Sequence, residues 1–423
     1  MVVSRPNARF DVGLQTRNFM AESLLSLVDL EVRRGMGIVL TGFNLEVKSK
    51  DVVVLHGQNG SGKSTVIESC ARLLPLEKGS VHHHGSLVVD SEGRRNLAKN
   101  PFGLTLQSNG LLGDETVENH LLTVCALSEM TTDILPMLES YGLAHRRHDR
   151  IGQLSGGQAR KVAVLAGLLP AMLSSEPRLV FLDEPDAGLD ENALATLVSD
   201  IGKLRNAGHA FIIASHHSEI MQCATRLHDL EVERKQEHPD GEKWNAVGIE
   251  EKSGLLSTRT GHRYLRSTRA GIARNGLTAL LVIGTLLAFI DPSSIESQTV
   301  LFGFILAPPF AAGLIGDPVI YLMREQRAVD WWRAHVNRLP SAEFSAPILG
   351  FLLATLGCVL FLGETNWILS LIGAGTLWTT LACVRFIELS TLRLARPNAV
   401  FIKLLVPILI LPWALVVEYS ATM

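Results

Sequence analysis

Gly57-Gln58-Asn59-Gly60-Ser61-Gly62-Lys63-Ser64-Thr65 follows, across His56, the apolar run Val52-Val53-Val54-Leu55. The stretch fits G-x-x-x-x-G-K-[ST], the phosphate-binding loop that joins a buried strand to a helix. Glycines let the backbone wrap closely around an anion with its N–H groups pointing inward. The helix that follows adds its positive N-terminal end. Lys63 is placed to reach the β and γ phosphates of a nucleoside triphosphate, and Ser64 to offer its hydroxyl oxygen to Mg²⁺. Gly57, Asn59, Gly60, Ser61, Gly62, Lys63, Ser64 and Thr65 are therefore the expected nucleotide-binding residues.

The 423 residues are enough for two or three domains, and the formal net charge of -3 gives no bulk attraction for nucleic acid, which is not an expected partner. Mean hydropathy is +0.23, high for a soluble enzyme. The apolar character is concentrated in residues 276–423. Cys70, Cys125, Cys223, Cys358 and Cys383 lack metal-ligand spacing and read as buried thiols. Residues 1–20 have no signal-peptide layout and read as a poorly ordered leader. Residues 21–250 alternate strand and helix patterns, with strands expected at 24–28, 51–55, 102–106, 179–182 and 210–214 and helices at 63–74 and 158–169. This is the α/β pattern. The charged stretch 231–244 reads as a surface turn or the start of a linker. His82-His83-His84 reads as a turn between two edge strands.

Four further groups suit nucleotide chemistry. Leu154-Ser155-Gly156-Gly157-Gln158 opens a helix and offers a second anion-ready terminus. Val180-Phe181-Leu182-Asp183-Glu184-Pro185 is an apolar strand ending in two carboxylates. Asp183 suits Mg²⁺ and Glu184 suits the attacking water. Gln107 ends another strand, where it could touch metal and water. His216 follows the strand 210–214 and could reach the γ-phosphate.

This ordered set resembles the ATP-binding cassette of ABC transporters over residues 23–247, with Walker A at 57–65, Q-loop Gln107, signature 154–158, Walker B at 179–184, D-loop around Asp190 and switch His216. The resemblance implies a P-loop NTPase fold and a head-to-tail cassette dimer. ATP would lie between one chain's Walker A and the other's signature, so that Ser155, Gly156, Gly157 and Gln158 face the partner's phosphate loop. The expected catalytic residues are Glu184, His216 and Gln107. The expected Mg²⁺ ligands are Ser64, Gln107 and Asp183. One segment departs from the family: Val32-Arg33-Arg34-Gly35 stands where most cassettes carry an aromatic that stacks on adenine. Arg34 could stack by its planar guanidinium instead.

Residues 277–423 are expected to form an all-α transmembrane domain of about five helices, at roughly 277–290, 300–315, 346–362, 367–384 and 400–417. Residues 251–276 read as a basic interfacial helix leading into it. Pro308-Pro309 should break or kink the second span. Arg259, Arg263, Arg266, Arg269 and Arg274 precede the first span, Arg324, Arg327, Arg333 and Arg338 follow the second, and Arg385, Arg393 and Arg396 follow the fourth. The opposite loops carry Asp and Glu but no Lys or Arg. The charge asymmetry places the cassette in the cytoplasm and, with five spans, the C-terminal tail outside an inner or plasma membrane. Asp330-Trp331-Trp332-Arg333 suits the membrane interface. Asp317, Lys403, Glu388 and Arg385 lie towards span ends, which argues against a buried ion path and for an exporter of lipophilic cargo. The loop ending in Leu339-Pro340-Ser341 resembles that of ABC-2 type exporters. Within that group Leu369-Ser370-Leu371-Ile372-Gly373-Ala374-Gly375 and Leu404-Leu405-Val406-Pro407-Ile408-Leu409-Ile410-Leu411-Pro412 are similar to the permease of the cytochrome c-maturation haem exporter. The resemblance implies a half-transporter working as a homodimer or with a related chain, its cargo haem or, in the alternative, a lipid, polysaccharide or drug.

Overall fold

The computed structural model describes residues 23–229, 232–239, 241–251, 266–323, 327–337, 339, 341, 343, 345–391 and 406–422. The leader, most of the proposed linker helix, Arg259, Arg263, Arg324, Arg338, Arg393, Arg396 and Lys403 lie outside the described residues. The chain divides into two compact units. One takes residues up to 261 together with 325–339, and the other takes 262–324 and 340–423.

In the first unit the order is β1 (Leu25–Arg34), β2 (Gly37–Val47), β3 (Val52–Leu55), α1 (Lys63–Cys70), β4 (Lys78–His83), β5 (Ser86–Asp90), β6 (Gly103–Thr105), α2 (Val117–Leu127), β7 (Met130–Thr131), α3 (Leu135–Ser140), α4 (Gly156–Leu173), β8 (Leu179–Asp183), α5 (Glu191–Asn206), β9 (Ala210–Ala214), α6 (Ser218–Gln222), β10 (Arg226–Asp229), β11 (Val232–Lys235) and β12 (Ile249–Glu250). A four-stranded antiparallel sheet runs β2-β1-β4-β5. A six-stranded sheet runs β11-β10-β3-β9-β8-β6, parallel from β10 to β6. Its central strands β3, β8 and β9 are buried along their whole length, as unbroken Val/Ile/Leu/Phe runs require when both sheet faces are covered.

Close backbone approach sets α4 against β6. A Cβ on Gly103 would lie 1.8 Å from the Gly167 carbonyl oxygen, so no larger residue fits there. Thr105 Oγ1 adds a hydrogen bond to the Ala163 carbonyl at 3.1 Å. This packing fixes the end of β6, from which Gln107 projects.

Two local expectations change. The described residues of 231–244 stay with the unit: β11 pairs with β10, and the Trp244 indole N–H donates to the Met172 carbonyl at 3.0 Å. A Lys/Glu-rich edge strand has the composition of a surface turn, because only one side of it is paired. In the histidine run, His82 and His83 belong to β4 and the turn falls at His84-Gly85, both at positive φ. His83 is buried with Nε2 2.9 Å from the Cys70 carbonyl oxygen, and burial lowers its pKa to about 3. Among the described residues no group of three or more His, Cys, Asp or Glu is arranged to hold a metal.

The largest revision concerns 328–335. These residues form a helix, Ala328–His335, that belongs to the cassette unit although its neighbours along the chain belong to the other. Trp331 and Trp332 are each only 2% exposed. The Trp331 indole N–H donates to the Leu104 carbonyl at 3.3 Å, its ring lies 5.3 Å from His120, and His335 stacks on Phe102 at 4.9 Å. Arg72 donates to the carbonyls of Arg333 and Val336 at 2.9 and 3.1 Å, closing the C-terminal end of the helix. The aromatic-arginine composition that suits a bilayer interface here fills a protein groove, since a Trp seeks the same thing in both places: apolar cover for the ring and one acceptor for the N–H.

The second unit is helical: Arg266–Phe289, Gln298–Leu314, Pro318–Met323, Ala346–Leu362, Trp367–Thr391 and Ile410–Thr422. Two of these hold stretches long and apolar enough to cross a membrane, Arg269–Phe289 and Trp367–Thr391. Gln298–Leu314 and Ala346–Leu362 are apolar but have 17 residues each, a rise of about 26 Å. Small residues bring helices together: a Cβ on Gly350 would lie 2.6 Å from the Gly373 carbonyl oxygen, so Ala346–Leu362 and Trp367–Thr391 touch backbone to backbone. Gln298–Leu314 runs on through Pro308 and Pro309, both buried. Arg385 and Asp317, expected at span ends, form a buried ion pair at 2.8 Å.

Candidate active site

The phosphate loop takes the backbone that its glycines permit. Gly57, Gly60 and Gly62 have φ of 130°, 85° and 111°. At Gly57 a Cβ would also lie 2.7 Å from a carboxylate oxygen of the exposed Asp229, which would have to swing aside. Lys63 is buried, and its ammonium donates to the carbonyls of Gly57 and Gln58 at 2.7 and 3.0 Å. The lysine thus holds the loop shut by its own backbone. Ser61 Oγ is buried without a partner among the described residues, a donor turned into the loop.

A cavity of about 640 Å³ opens over this loop, lined by Asn59, Gly60, Gly62, Lys63, Ser64 and Thr65 on one side and by Arg34, Val39, Glu68, Gln107, Glu184 and Arg327 on the other. That volume is in the range of small-molecule sites. Ser64 Oγ donates to Asp183 Oδ1 at 3.0 Å, and Gln107 Nε2 donates to Glu184 Oε2 at 3.2 Å. Hydroxyl, carboxylate and amide oxygen form a hard-oxygen set fit for Mg²⁺. Ser64, Asp183 and Gln107 would hold that ion, which supplies charge neutralisation at the phosphates. Burial pushes the Asp183 carboxyl up to about 6, against the opposing hydrogen bond from Ser64. The Glu184 and Glu68 carboxylates push the same way, and the Arg160 guanidinium opposes them.

Glu184 is held in the left-handed region at φ 49°, where its N–H donates to the Ala214 carbonyl at 2.8 Å. Such strain persists only where surroundings over-determine it. Arg160 supplies the constraint. Buried on α4, it donates to the carbonyls of Leu106 (2.8 Å), Asp183 (2.6 Å) and Glu184 and to Asn109 Oδ1 (2.8 Å). One guanidinium so locks the ends of β6 and β8, the two strands that deliver Gln107 and the carboxylates. Sequence reasoning passed over Arg160. The signal was an arginine two residues past a Gly-Gly-Gln helix start on an otherwise apolar face.

Ser155 caps α4 and makes a reciprocal capping box with Gln158: the Ser155 hydroxyl accepts from the Gln158 N–H at 3.3 Å and Gln158 Oε1 accepts from the Ser155 N–H at 3.0 Å. Ser155 and Gly156 are exposed. Gly157 packs where a Cβ would lie 2.8 Å from the Gly188 carbonyl oxygen. Asp190 caps α5, accepting from the Ala193 N–H at 2.9 Å, and pairs with Lys161 at 2.5 Å. The Lys161 ammonium, and then the Ala193 N–H, lower its pKa. His216 is exposed just past β9. Ser155, Gly156, Gly157, Gln158, Asp190 and His216 are not among the residues lining the cavity. Arg34 lines it, with its guanidinium on the buried carboxylate of Glu68. Glu68 and Arg327 are further site residues that the motifs do not contain.

A parallel sheet whose strand β3 leads through a glycine loop into α1, with Asp183 and Glu184 at the end of β8, defines a P-loop NTPase. The comparisons go further. The ABC transporter family matches residues 40–187. The chain is 32% identical over 204 residues to the lipoprotein-releasing system ATP-binding protein LolD of Novosphingobium aromaticivorans, a match covering 45% of this chain and 88% of that protein. It is 28% identical over 264 residues to the macrolide export ATP-binding/permease protein MacB of Azoarcus sp. (strain BH72), covering 58% of this chain and 39% of the relative. The matched region thus spans well under half the length of that relative. Among solved structures, a dimeric bacterial ABC transporter cassette aligns over 50% of this chain and 98% of its own, at TM-score 0.44 and 21% identity. The chain belongs to the ABC transporter ATP-binding cassette family, whose members hydrolyse ATP to drive transport.

Proposed function

We propose that this chain is an ATP-driven membrane exporter of lipophilic cargo, with its cassette in the cytoplasm, its apolar helices in the lipid bilayer and its C-terminal tail outside. One observation carries the reading: a cassette with Lys63, Gln107 and Glu184 lining one cavity, and Asp183 bonded to Ser64 behind it, shares its chain with a unit of apolar helices. Relatives are named for macrolide export, pyoverdine export and lipoprotein release. Two chains would pair head to tail, either as a homodimer or with a related half-transporter. The exposed Ser155 and Gly156 would then present the positive N-terminal end of α4 to the partner's bound ATP. Haem is the specific cargo to test first, on the resemblance of residues 369–375 and 404–412 to a haem-exporter permease.

The test is ATP hydrolysis by the full chain in lipid nanodiscs, with Glu184→Gln as the blank. Saturable stimulation by haem, with a shift in its absorbance on binding, supports haem. Stimulation by macrolides or lipopeptides without a response to haem replaces that cargo and keeps the exporter. Hydrolysis unmoved by any amphipathic compound, together with no ATP-dependent transport in vesicles, overturns the export reading.

A further inference from the structure

The nucleotide cavity has one wall that no motif describes. Glu68, on α1 five residues past Lys63, is a carboxylate whose side chain is 2% exposed. It is not neutralised by its own helix. Arg34, from the end of β1, takes one oxygen, and Arg327 donates to the other at 2.6 Å. Arg327 sits at φ 57° as the residue before the helix Ala328–His335, and it also holds Asp330 at 2.7 and 2.8 Å. All three members, Arg34, Glu68 and Arg327, line the cavity.

A buried carboxylate beside a site for a polyanion works against binding unless something reverses its field. Two guanidiniums do so here: Arg34, Arg327 and Glu68 sum to +1 on the cavity wall, while Asp330, which Arg327 also holds and which balances that charge, is not among the lining residues. Both are held in position by Glu68 before any nucleotide arrives, so their ordering entropy is spent in folding and not on binding. The carboxylate thus acts as the hinge pin of a cationic wall. Arg34 occupies the segment where the adenine-stacking aromatic is missing, which leaves charge as the means of holding the nucleotide on this side.

We propose that Arg327 is a nucleotide-positioning residue: with Arg34 it forms a guanidinium pair, set on Glu68, that supplies ground-state affinity for the nucleoside triphosphate. Segment 325–339 then contributes to the ATP site itself. This rests on the ATP site and not on the export reading, and its failure leaves both standing.

The experiment measures kcat and KM for ATP in the full chain in nanodiscs, with the affinity of a fluorescent ATP analogue read separately in a Glu184→Gln background. Arg327→Gln is expected to raise KM and the analogue Kd about tenfold with kcat within about twofold, which is the signature of lost uniform binding. Arg327→Lys should recover part of that loss, and the loss should grow as salt is lowered. Glu68→Gln combined with Arg327→Gln should be no worse than the poorer single variant, since the residues act as one unit. Asp330→Asn releases Arg327 from its own helix without touching Glu68, and should change KM by less than about twofold. Three outcomes overturn the proposal. One is Arg327→Gln with KM and Kd within twofold of the parent. Another is a double variant whose loss is the product of the singles. The third is Asp330→Asn matching Arg327→Gln, which assigns the effect to seating of the helix. Thermal unfolding of each variant separates these results from failure to fold.

Discussion

Replacing Arg160 by Met keeps the aliphatic stem on α4 and removes every donor. Arg160 is only 3% exposed and serves four acceptors: the carbonyls of Leu106, Asp183 and Glu184 and the side chain of Asn109. Stranding a buried acceptor costs about 1–3 kcal/mol. The four share one side chain and relax together, so their costs do not add. The expected loss is about 3–5 kcal/mol, the scale of breaking a buried charged network. That is a large share of the ~5–15 kcal/mol that holds a domain folded. The catalytic effect is separable. Glu184 at φ 49° carries strain of about 1–3 kcal/mol. Freed of Arg160, the turn relaxes and moves the carboxylate away from the place proposed for the attacking water. A shift near 1 Å costs about 100-fold in rate. Lys63 and its loop are untouched, so KM for ATP stays within about threefold. Phosphate release in nanodiscs gives kcat and KM, and denaturant unfolding gives the stability. Arg160→Lys restores one charged donor and is expected to recover part of both. The reasoning is refuted by Arg160→Met turning over within about threefold of the parent while unfolding at the same denaturant concentration.

Gly110, at φ 72°, has Trp331 Cβ only 2.8 Å from where its own Cβ would lie; Gly110→Ala should lower stability by about 2 kcal/mol or more and expose Trp331, read as a red shift in its fluorescence. Asp200, hydrogen-bonded by the buried Tyr141 hydroxyl at 3.0 Å, is raised by burial from 3.8 to about 6. Its contribution is therefore present below about pH 4 and lost as pH rises through 6, amounting to about 3 kcal/mol at neutral pH. Asp200→Asn should be more stable than the parent at pH 7.5 and level with it at pH 4, by denaturant unfolding. His83, His120 and His335 run the other way: burial holds them neutral, at about 3, 4 and 4. Their contribution is full above pH 6.5 and lost as pH falls, by about 2 kcal/mol each at pH 5. His120→Gln should flatten the stability slope between pH 6.5 and 5 by nearly one proton, and an unchanged slope would show that His120 is not buried neutral.

The parts of this molecule legible in the sequence are those where a local pattern carries its own physics. The phosphate loop, the buried strands β3, β8 and β9 and the helix start at Ser155-Gly156-Gly157 could be read because each is decided within ten residues by glycine freedom or apolar runs. The antiparallel strand β2 escaped notice because its exposed and buried residues mix without a clean period. Glu68, Arg160 and Arg327 were not legible for a different reason. Each owes its role to a partner between 23 and 259 positions away, and the pairing exists only once the chain has folded. Trp331 shows the same limit from the other side. Composition pointed the Trp-Trp-Arg segment to a membrane interface, because the apolar cover and hydrogen-bond acceptor such side chains need can come from lipid or from protein and composition does not tell the two apart. The groove formed by Phe102, Leu104, Gly110 and His120 provides them. That answer bears on function. Those residues flank Gln107 in the chain, and Gln107 is bonded to Glu184, so the helix Ala328–His335 rests on the strand end that delivers the pair proposed to be catalytic. A displacement of that helix has a short covalent and hydrogen-bonded route to the attacking water, through Leu104 and Gln107. It has a second, purely electrostatic route to the phosphates through Arg327 and Glu68. The two differ in what they move, kcat for the first and KM for the second, so variants of Gly110 and of Arg327 tell them apart in one kinetic series.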